Sequence, residues 1–134
     1  MKRRMMAIVA IVLLVSSMTV FANSFQFVLR SGEGSYTSSV TKSRNYGVMG
    51  VRVYNASNTA ATTLYSGWDP VYGNRLTDDL SIVNSYNEVP KWISYYSSYA
   101  GTERLVRMKA TTTASGSYEV WGAWSPNGTN GLYN

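Results

Sequence analysis

The sequence contains neither cysteine nor histidine among its 134 residues. Without cysteine the chain forms no disulfide and carries no lipid on an N-terminal thiol. Without histidine it builds neither Ser-His-Asp nor Cys-His nucleophilic sites, and it lacks the commonest zinc ligand and the usual side chain of a pH switch. We therefore predict a protein that is not an enzyme and that binds no cofactor and no metal.

Acidic residues are scarce as well, with seven in the whole chain. A glycoside hydrolase needs two carboxyl groups roughly 5 to 10 Å apart in one cleft, and this class stays open as a minor alternative. Asp78 and Asp79 are adjacent, so they point to opposite sides of a strand, and the further acids of an EF-hand loop are missing. We interpret all seven as solvated surface groups: Glu33, Asp69, Asp78, Asp79, Glu88, Glu103 and Glu119.

The beginning of the chain has the three parts of a cleavable signal peptide. Residues 2–4 are basic, residues 5–15 are eleven consecutive apolar residues, and Val20-Phe21-Ala22 ends the stretch with small or short side chains at the positions that a signal peptidase reads. Eleven apolar residues are too few to span a bilayer. We predict a signal peptide over residues 1–22, with cleavage after Ala22. An uncleaved anchor is the alternative, because the apolar character extends to Ala22 with few polar interruptions.

Export leaves residues 23–134, a length that suits one domain with its own hydrophobic core. The net charge of the whole chain is +5, but three basic residues belong to the leader, which leaves nine basic and seven acidic residues and a net charge of +2. The nine are spread along the sequence from Arg30 to Lys109. Nucleic-acid binding needs a clustered basic surface, so we expect no nucleic-acid partner, and contact with a membrane only through the leader during export.

The exported part shows no helical periodicity and many short stretches that alternate between apolar and polar residues. Seven or eight such strands at roughly ten-residue spacing predict an all-β protein, a small antiparallel β-sandwich. Residues 48–54 and 58–66 are expected to form a hairpin, residues 36–42 a hydroxyl-rich strand at a sheet edge or on a solvated face, and residues 76–83 a strand or a single helical turn. The remaining predicted strands are residues 25–30, 92–96, 103–111 and 118–125.

Aromatic residues are abundant, with eleven tyrosines and four tryptophans. Tyr118, Val120 and Trp124 occupy alternate positions of one predicted strand and therefore share one face, and we predict that they fill the core. Other aromatic residues lie in or beside predicted loops, where flat rings stack on sugars or anchor bound proteins. We predict that a ligand contacts this second set: Trp68, Tyr72, Trp92, Tyr95, Tyr96 and Tyr99.

Several motifs carry a resemblance to known secreted proteins. They include Phe25-Gln26-Phe27, the Tyr- and Thr-rich residues 36–44, and the terminal residues 117–125. With them the exported chain resembles an uncharacterised family of small secreted proteins of Gram-positive bacteria. More distantly, Tyr46-Gly47-Val48 and the residues up to Asn55 are similar to the lactococcin-type bacteriocins. That resemblance implies a secreted, cysteine-free β-sandwich that interferes with the use of cell-wall precursors.

Two functions follow as hypotheses. The first is a secreted, non-enzymatic protein that binds a glycan or a protein at the bacterial envelope through its loop aromatics. The alternative is a bacteriocin-like antimicrobial protein.

Overall fold

The computed structural model describes residues 22–85, 89–129 and 131–133. Within them the chain forms nine strands and one short helix, and the strands make two antiparallel sheets that pack as a sandwich, which confirms the predicted fold class. The predicted leader lies outside the described residues up to Phe21, and so does Glu88. The elements are β1 Asn23–Arg30, β2 Ser35–Tyr36, β3 Val40–Lys42, β4 Val48–Ala56, β5 Thr62–Trp68, β6 Leu80–Val83, β7 Lys91–Ser94, α1 Ser97–Ala100, β8 Arg104–Thr112 and β9 Ser117–Ser125.

The order of the strands is that of a jelly roll. Sheet 1 has the order β1-β9-β4-β7, and sheet 2 has the order β2-β8-β5-β6 with β3 also paired to β8. The pairs are nested along the chain, because β1 pairs with β9, β2 and β3 with β8, β4 with β7, and β5 with β6. The chain is thus folded like one long antiparallel hairpin that is rolled into two sheets, which is the jelly-roll arrangement.

The predicted hairpin between residues 48–54 and 58–66 is wrong. β4 pairs with β7 and β9 in sheet 1, whereas β5 pairs with β6 and β8 in sheet 2, so the chain crosses from one sheet to the other between them. At the crossing, Asn58 Oδ1 accepts hydrogen bonds from the backbone N–H groups of Ala60 and Ala61, both at 3.2 Å. Alternation along a strand shows which side chains point inward, but it does not select the neighbouring strand.

The stretch 36–42 is an edge of sheet 2, as predicted, but it forms two strands instead of one. β2 and β3 each pair only with β8. Between them, Thr37 uses its backbone N–H and its hydroxyl to bond the backbone of Met108, both at 2.9 Å. Thr37 thus interrupts the regular pairing with β8, and the single predicted strand is divided into β2 and β3. Residues 76–83 form a strand only in their second half, from Leu80.

The core lies between the two sheets and follows the alternation of the strands. Met49, Val51 and Val53 of β4 are buried as predicted, and so are Tyr118, Val120 and Trp124 of β9. In sheet 2 the inward residues of β8 are equally buried, namely Val106, Met108 and Ala110. Burial of this apolar surface is the main contribution that stabilises a disulfide-free domain of this size.

One lysine is buried in this sandwich. Lys42, at the end of β3, has no exposed surface. Its ammonium group donates hydrogen bonds to the carbonyl oxygens of Ala100 at 2.7 Å, Thr102 at 2.9 Å and Ser43 at 3.1 Å, and it lies 4.9 Å from the centre of the Tyr95 ring. Three carbonyl dipoles and a ring face replace the water that the ammonium group loses on burial. Lys42 thereby ties β3 to the end of α1.

The C-terminal segment folds back over the outer face of sheet 1. Gly128 N–H donates to the Val48 carbonyl at 2.8 Å, and Arg52 Nη1 donates to the Leu132 carbonyl at 2.7 Å. The Leu132 side chain is fully buried against Gly50, where a β-carbon would lie 2.7 Å from Leu132 Cδ1. Glycine is therefore required at position 50 for the segment to approach the sheet.

Candidate ligand-binding faces

The six aromatic residues that the sequence predicts to contact a ligand lie in three different places. Trp92 is on the outer face of sheet 1, in strand β7. Trp68 ends β5 in sheet 2, and Tyr72 lies in the loop that follows it. Tyr95, Tyr96 and Tyr99 precede or belong to α1. The six therefore do not form a single binding site.

Tyr95 is part of the interior. Only 4% of its surface is exposed, and its hydroxyl donates a hydrogen bond to the Pro126 carbonyl at 2.8 Å. Burial raises the pKa of Tyr95, because the phenolate form would lose its hydration. The ring is not accessible to a ligand in this structure, and its visible role is to join β7 to the C-terminal segment.

Tyr96 and Tyr99 are engaged with charged groups of the protein itself. Tyr96 donates to Asp78 Oδ1 at 2.9 Å, and this hydrogen bond to the carboxylate raises the pKa of Tyr96. The Arg104 guanidinium lies 4.3 Å from the centre of the Tyr99 ring and 3.4 Å from Asp69 Oδ2. These contacts fix the loop after β5 against α1, so we interpret them as structural.

The loop after β5 presents the most exposed of the six aromatic residues. Asp69 Oδ1 accepts hydrogen bonds from the backbone N–H groups of Val71 at 2.8 Å and Tyr72 at 3.0 Å, and Gly73 has a φ angle of 71° that permits the reversal of the chain. Val71 and Tyr72 are 69% and 80% exposed at the tip. The loop thus holds the Tyr72 ring in solvent, and Tyr72 lines none of the three grooves described below.

A second group of side chains covers the outer face of sheet 2. Arg107 lies 4.0 Å from the centre of the Tyr36 ring, Lys109 lies 5.6 Å from Tyr36 and 4.9 Å from Trp68, and Arg75 lies 5.5 Å from Trp68. Rings and cations therefore alternate without interruption across β2, β8 and β5. We call this set the cation–aromatic row: Arg107, Tyr36, Lys109, Trp68 and Arg75.

Strand pairing explains how residues so distant in sequence come together in the row. Tyr36 lies opposite Lys109, and Trp68 lies opposite Arg107. The even spread of basic residues along the sequence predicts no basic cluster, and on this face that prediction is wrong. Among the row's members, the sequence predicts only Trp68 as a ligand contact.

A third group of aromatic residues lies on the outer face of sheet 1. Trp92 is 57% exposed and pairs with Gly50, and Tyr54 is 41% exposed further along β4. The register between β4 and β9 shifts between Val53 and Asn55, and this bulge leaves both Tyr54 and Asn55 exposed. Trp121 of β9 lies opposite Asn55.

These strands enclose a groove of about 450 Å³ on sheet 1, which we call the sheet 1 groove. Its lining consists of Ser24, Phe25, Gln26, Tyr54, Trp121 and Gly122. Exposed Ser24 and Gln26 alternate with buried Phe25 on β1, so the hydroxyl and amide groups reach the surface while the phenyl ring fills the core. No charged side chain belongs to the lining that the described residues provide.

Two further grooves lie at the open edges of the sandwich. One of about 380 Å³ lies between β1 and the chain that links β2 to β3, and one of about 420 Å³ lies between β6 and β7. In the described ranges no aspartate or glutamate lines any of these three grooves, and no group of three or more acidic residues is placed to hold a metal ion. The described residues also contain no helix long and apolar enough to cross a membrane.

The sequence was compared with known protein families and with curated proteins. No family model matches it, and no curated protein matches it. Function is therefore inferred from the surfaces described above.

Proposed function

We propose that this protein is an exported, non-enzymatic domain that binds an uncharged glycan at the bacterial envelope through the outer face of sheet 1. The observation that carries the proposal is the sheet 1 groove, in which the aromatic side chains of Tyr54 and Trp121 lie beside the polar side chains of Ser24 and Gln26. The basic and apolar segments of the leader support export.

The chemistry of the groove suits a sugar. Aromatic faces stack on the apolar faces of sugar rings, and amide and hydroxyl groups bond the ring hydroxyls. A volume of about 450 Å³ lies within the range of about 300–1,000 Å³ that is typical of small-ligand sites. The lining carries no charged side chain, and the neighbouring Arg52 guanidinium, 5.4 Å from the centre of the Tyr54 ring, already donates to the Leu132 carbonyl, so an uncharged sugar suits the groove better than an acidic one.

Trp92 offers a second contact on the same face. It lies opposite Gly50, which precedes Tyr54 by four residues on β4, so the two aromatic residues are separated by about 13 Å along the strand. Leu132 of the C-terminal segment covers Gly50 and accepts a hydrogen bond from Arg52 between the two rings, so a ligand that contacts both rings must be a chain long enough to pass this segment. This separation favours a polymer over a free monosaccharide.

A non-catalytic role is supported by the side chains that are present. The chain lacks histidine and cysteine. Asp69 and Asp79 are paired with Arg104 and Arg75, and Asp78 accepts the Tyr96 hydroxyl. These carboxylates have structural partners outside the sheet 1 groove.

The experiment is a binding assay with purified cell walls and with neutral wall oligosaccharides, using the protein secreted by expressing cells. Trp121→Ala and Tyr54→Ala are each expected to weaken binding about tenfold or more, because each removes an aromatic contact from the centre of the site. Trp92→Ala should weaken binding to long chains more than binding to short ones.

Tyr72→Ala is the matched control, since it removes an aromatic ring that is 80% exposed but lies away from the groove. Equal losses in Tyr72→Ala and Trp121→Ala, or no wall binding at all, would refute the proposal. If the protein binds no wall material and inhibits the growth of related bacteria, the bacteriocin-like alternative replaces it.

A further inference from the structure

The cation–aromatic row lies on sheet 2, opposite the sheet that carries the proposed glycan groove. We propose that the row is a second binding site, which takes a linear polymer of phosphate diesters without bases, of the poly(glycerol phosphate) type. The site goes beyond the proposed function, because its residues, its sheet and its ligand chemistry are all different.

Two of the three positive charges of the row, those of Arg107 and Lys109, are not neutralised by a carboxylate among the described residues. The salt bridges in the described ranges join Arg75 to Asp79 and Arg104 to Asp69, so Arg107 and Lys109 have no carboxylate partner there. Two cations without a carboxylate partner therefore lie side by side on one face, which attracts an anion.

The rings hold these cations in place without cancelling their charge. Tyr36 lies against both Arg107 and Lys109, and Trp68 lies against Lys109 from the other side. Lys109 also packs on Gly34, where a β-carbon would lie 2.5 Å from Lys109 Cε. Side chains held in this way lose less conformational entropy when a ligand binds, so the row is preorganised.

The spacing of the charges suits a repeating anion. Arg107 and Lys109 are two residues apart on the outer face of β8, a separation of about 7 Å along the strand. A guanidinium group bonds two oxygens of one phosphate, and an ammonium group acts as a point charge beside the next phosphate. Successive phosphates of one flexible chain can therefore be bound together.

The rings argue against nucleic acid and against a membrane surface. Single-stranded nucleic acid is bound by stacking its bases on aromatic rings, but in the row both rings already lie against cations. The Trp68 indole N–H also donates to Ser66 Oγ at 2.8 Å within the sheet, so the ring is not directed outward as an interfacial anchor would be. A polymer that offers phosphates alone makes full use of the row.

The test is calorimetric titration of the full secreted protein with poly(glycerol phosphate). Changing Arg107→Gln and Lys109→Gln together should weaken binding about tenfold or more. Arg30→Gln with Arg44→Gln is the matched control, because both residues are exposed and the change in net charge is the same. The control pair should change the affinity about twofold or less, since exposed charges away from the site are screened by salt.

Salt dependence is the second measurement. Two phosphates neutralised on a flexible chain give a slope of roughly −1.4 in log affinity against log salt concentration, and the row variant should lose this slope. Retention of the wild-type thermal unfolding midpoint shows that a variant is folded. If both double variants lose affinity equally, net charge alone explains the binding and the proposal fails.

Two other probes decide the source of the phosphate. The proposal is also overturned if a single-stranded oligonucleotide with the same number of phosphates binds more tightly, or if phosphatidylglycerol vesicles bind and the polymer does not. Trp121→Ala should leave polymer binding unchanged, and the row variant should leave glycan binding unchanged. Failure of one site is therefore distinguishable from failure of the other.

Discussion

Two buried tyrosines differ in one respect that can be tested by removing a single oxygen atom. Tyr95 Oη donates to the Pro126 carbonyl at 2.8 Å, whereas Tyr65 Oη is buried and has no hydrogen-bond partner among the described residues. Thr63 is the polar neighbour of Tyr65, but it donates its only hydroxyl proton to Asn84 Oδ1 at 2.7 Å and is also bonded to the Tyr118 hydroxyl at 2.8 Å, so it has no proton to donate to Tyr65. Phenylalanine at the two positions should therefore have opposite effects.

Tyr65→Phe should stabilise the protein by about 1 kcal/mol. An unsatisfied buried polar group costs about 1–3 kcal/mol, and phenylalanine removes this cost. The small cavity that the missing oxygen leaves destabilises the variant slightly, so the net gain is smaller than the full cost. Tyr95→Phe should destabilise it by about 1 kcal/mol, because one hydrogen bond is lost and the Pro126 carbonyl loses its donor. The Tyr95 ring and its contact with Lys42 remain in that variant.

The assay is urea unfolding at pH 7, followed by the fluorescence of tryptophan, since Trp124 is fully buried and becomes exposed on unfolding. The difference in the free energy of unfolding between the two variants is expected to be about 2 kcal/mol. If Tyr65→Phe is the more destabilising change, the Tyr65 hydroxyl has a hydrogen bond in solution, and the reasoning from its burial is refuted.

Alkaline pH provides a second measurement on the same variants. Burial raises the pKa of both Tyr65 and Tyr95 above 10. Above pH 10 the unfolded chain loses these protons and the folded protein keeps them, so the unfolded state binds fewer protons and stability falls as the pH rises. Each tyrosine contributes a loss of about 1.4 kcal/mol per pH unit in that range, and each phenylalanine variant should remove its share of the slope.

Three further outcomes are expected. Lys42→Met should lower the free energy of unfolding by roughly 2 kcal/mol or more, measured by urea, because three carbonyl oxygens lose their donor. Gly50→Ala should cost about 1–3 kcal/mol and should speed proteolysis of the C-terminal segment, because its β-carbon would collide with the Gly128 carbonyl oxygen as well as with Leu132. The intact mass of the secreted protein should correspond to a chain that begins at Asn23; a mass that includes the leader would contradict cleavage after Ala22.

The aromatic residues of sheet 1 show which parts of the candidate site can be predicted from the sequence. Alternation in β4 predicts that Tyr54 points outward, and in β9 Trp121 has the opposite parity to Tyr118, Val120 and Trp124, so the signal for its exposure was present. Both are missed when ligand-contacting aromatic residues are expected only in or beside loops. Tyr95 shows the opposite error, since its position near a loop did not reveal that the Pro126 carbonyl and Lys42 enclose it.

The all-β fold class can be predicted from the sequence without the structure. The inward residues of β4, β8 and β9 follow from period-two alternation, which is a local property of each strand, and the missing side-chain chemistries are read directly from composition. The tertiary structure alone decided which strands are neighbours. Tyr36, Trp68 and Lys109 meet because β2, β8 and β5 pair in one sheet, and that pairing is set by the packing of two whole sheets against each other, which no single segment encodes.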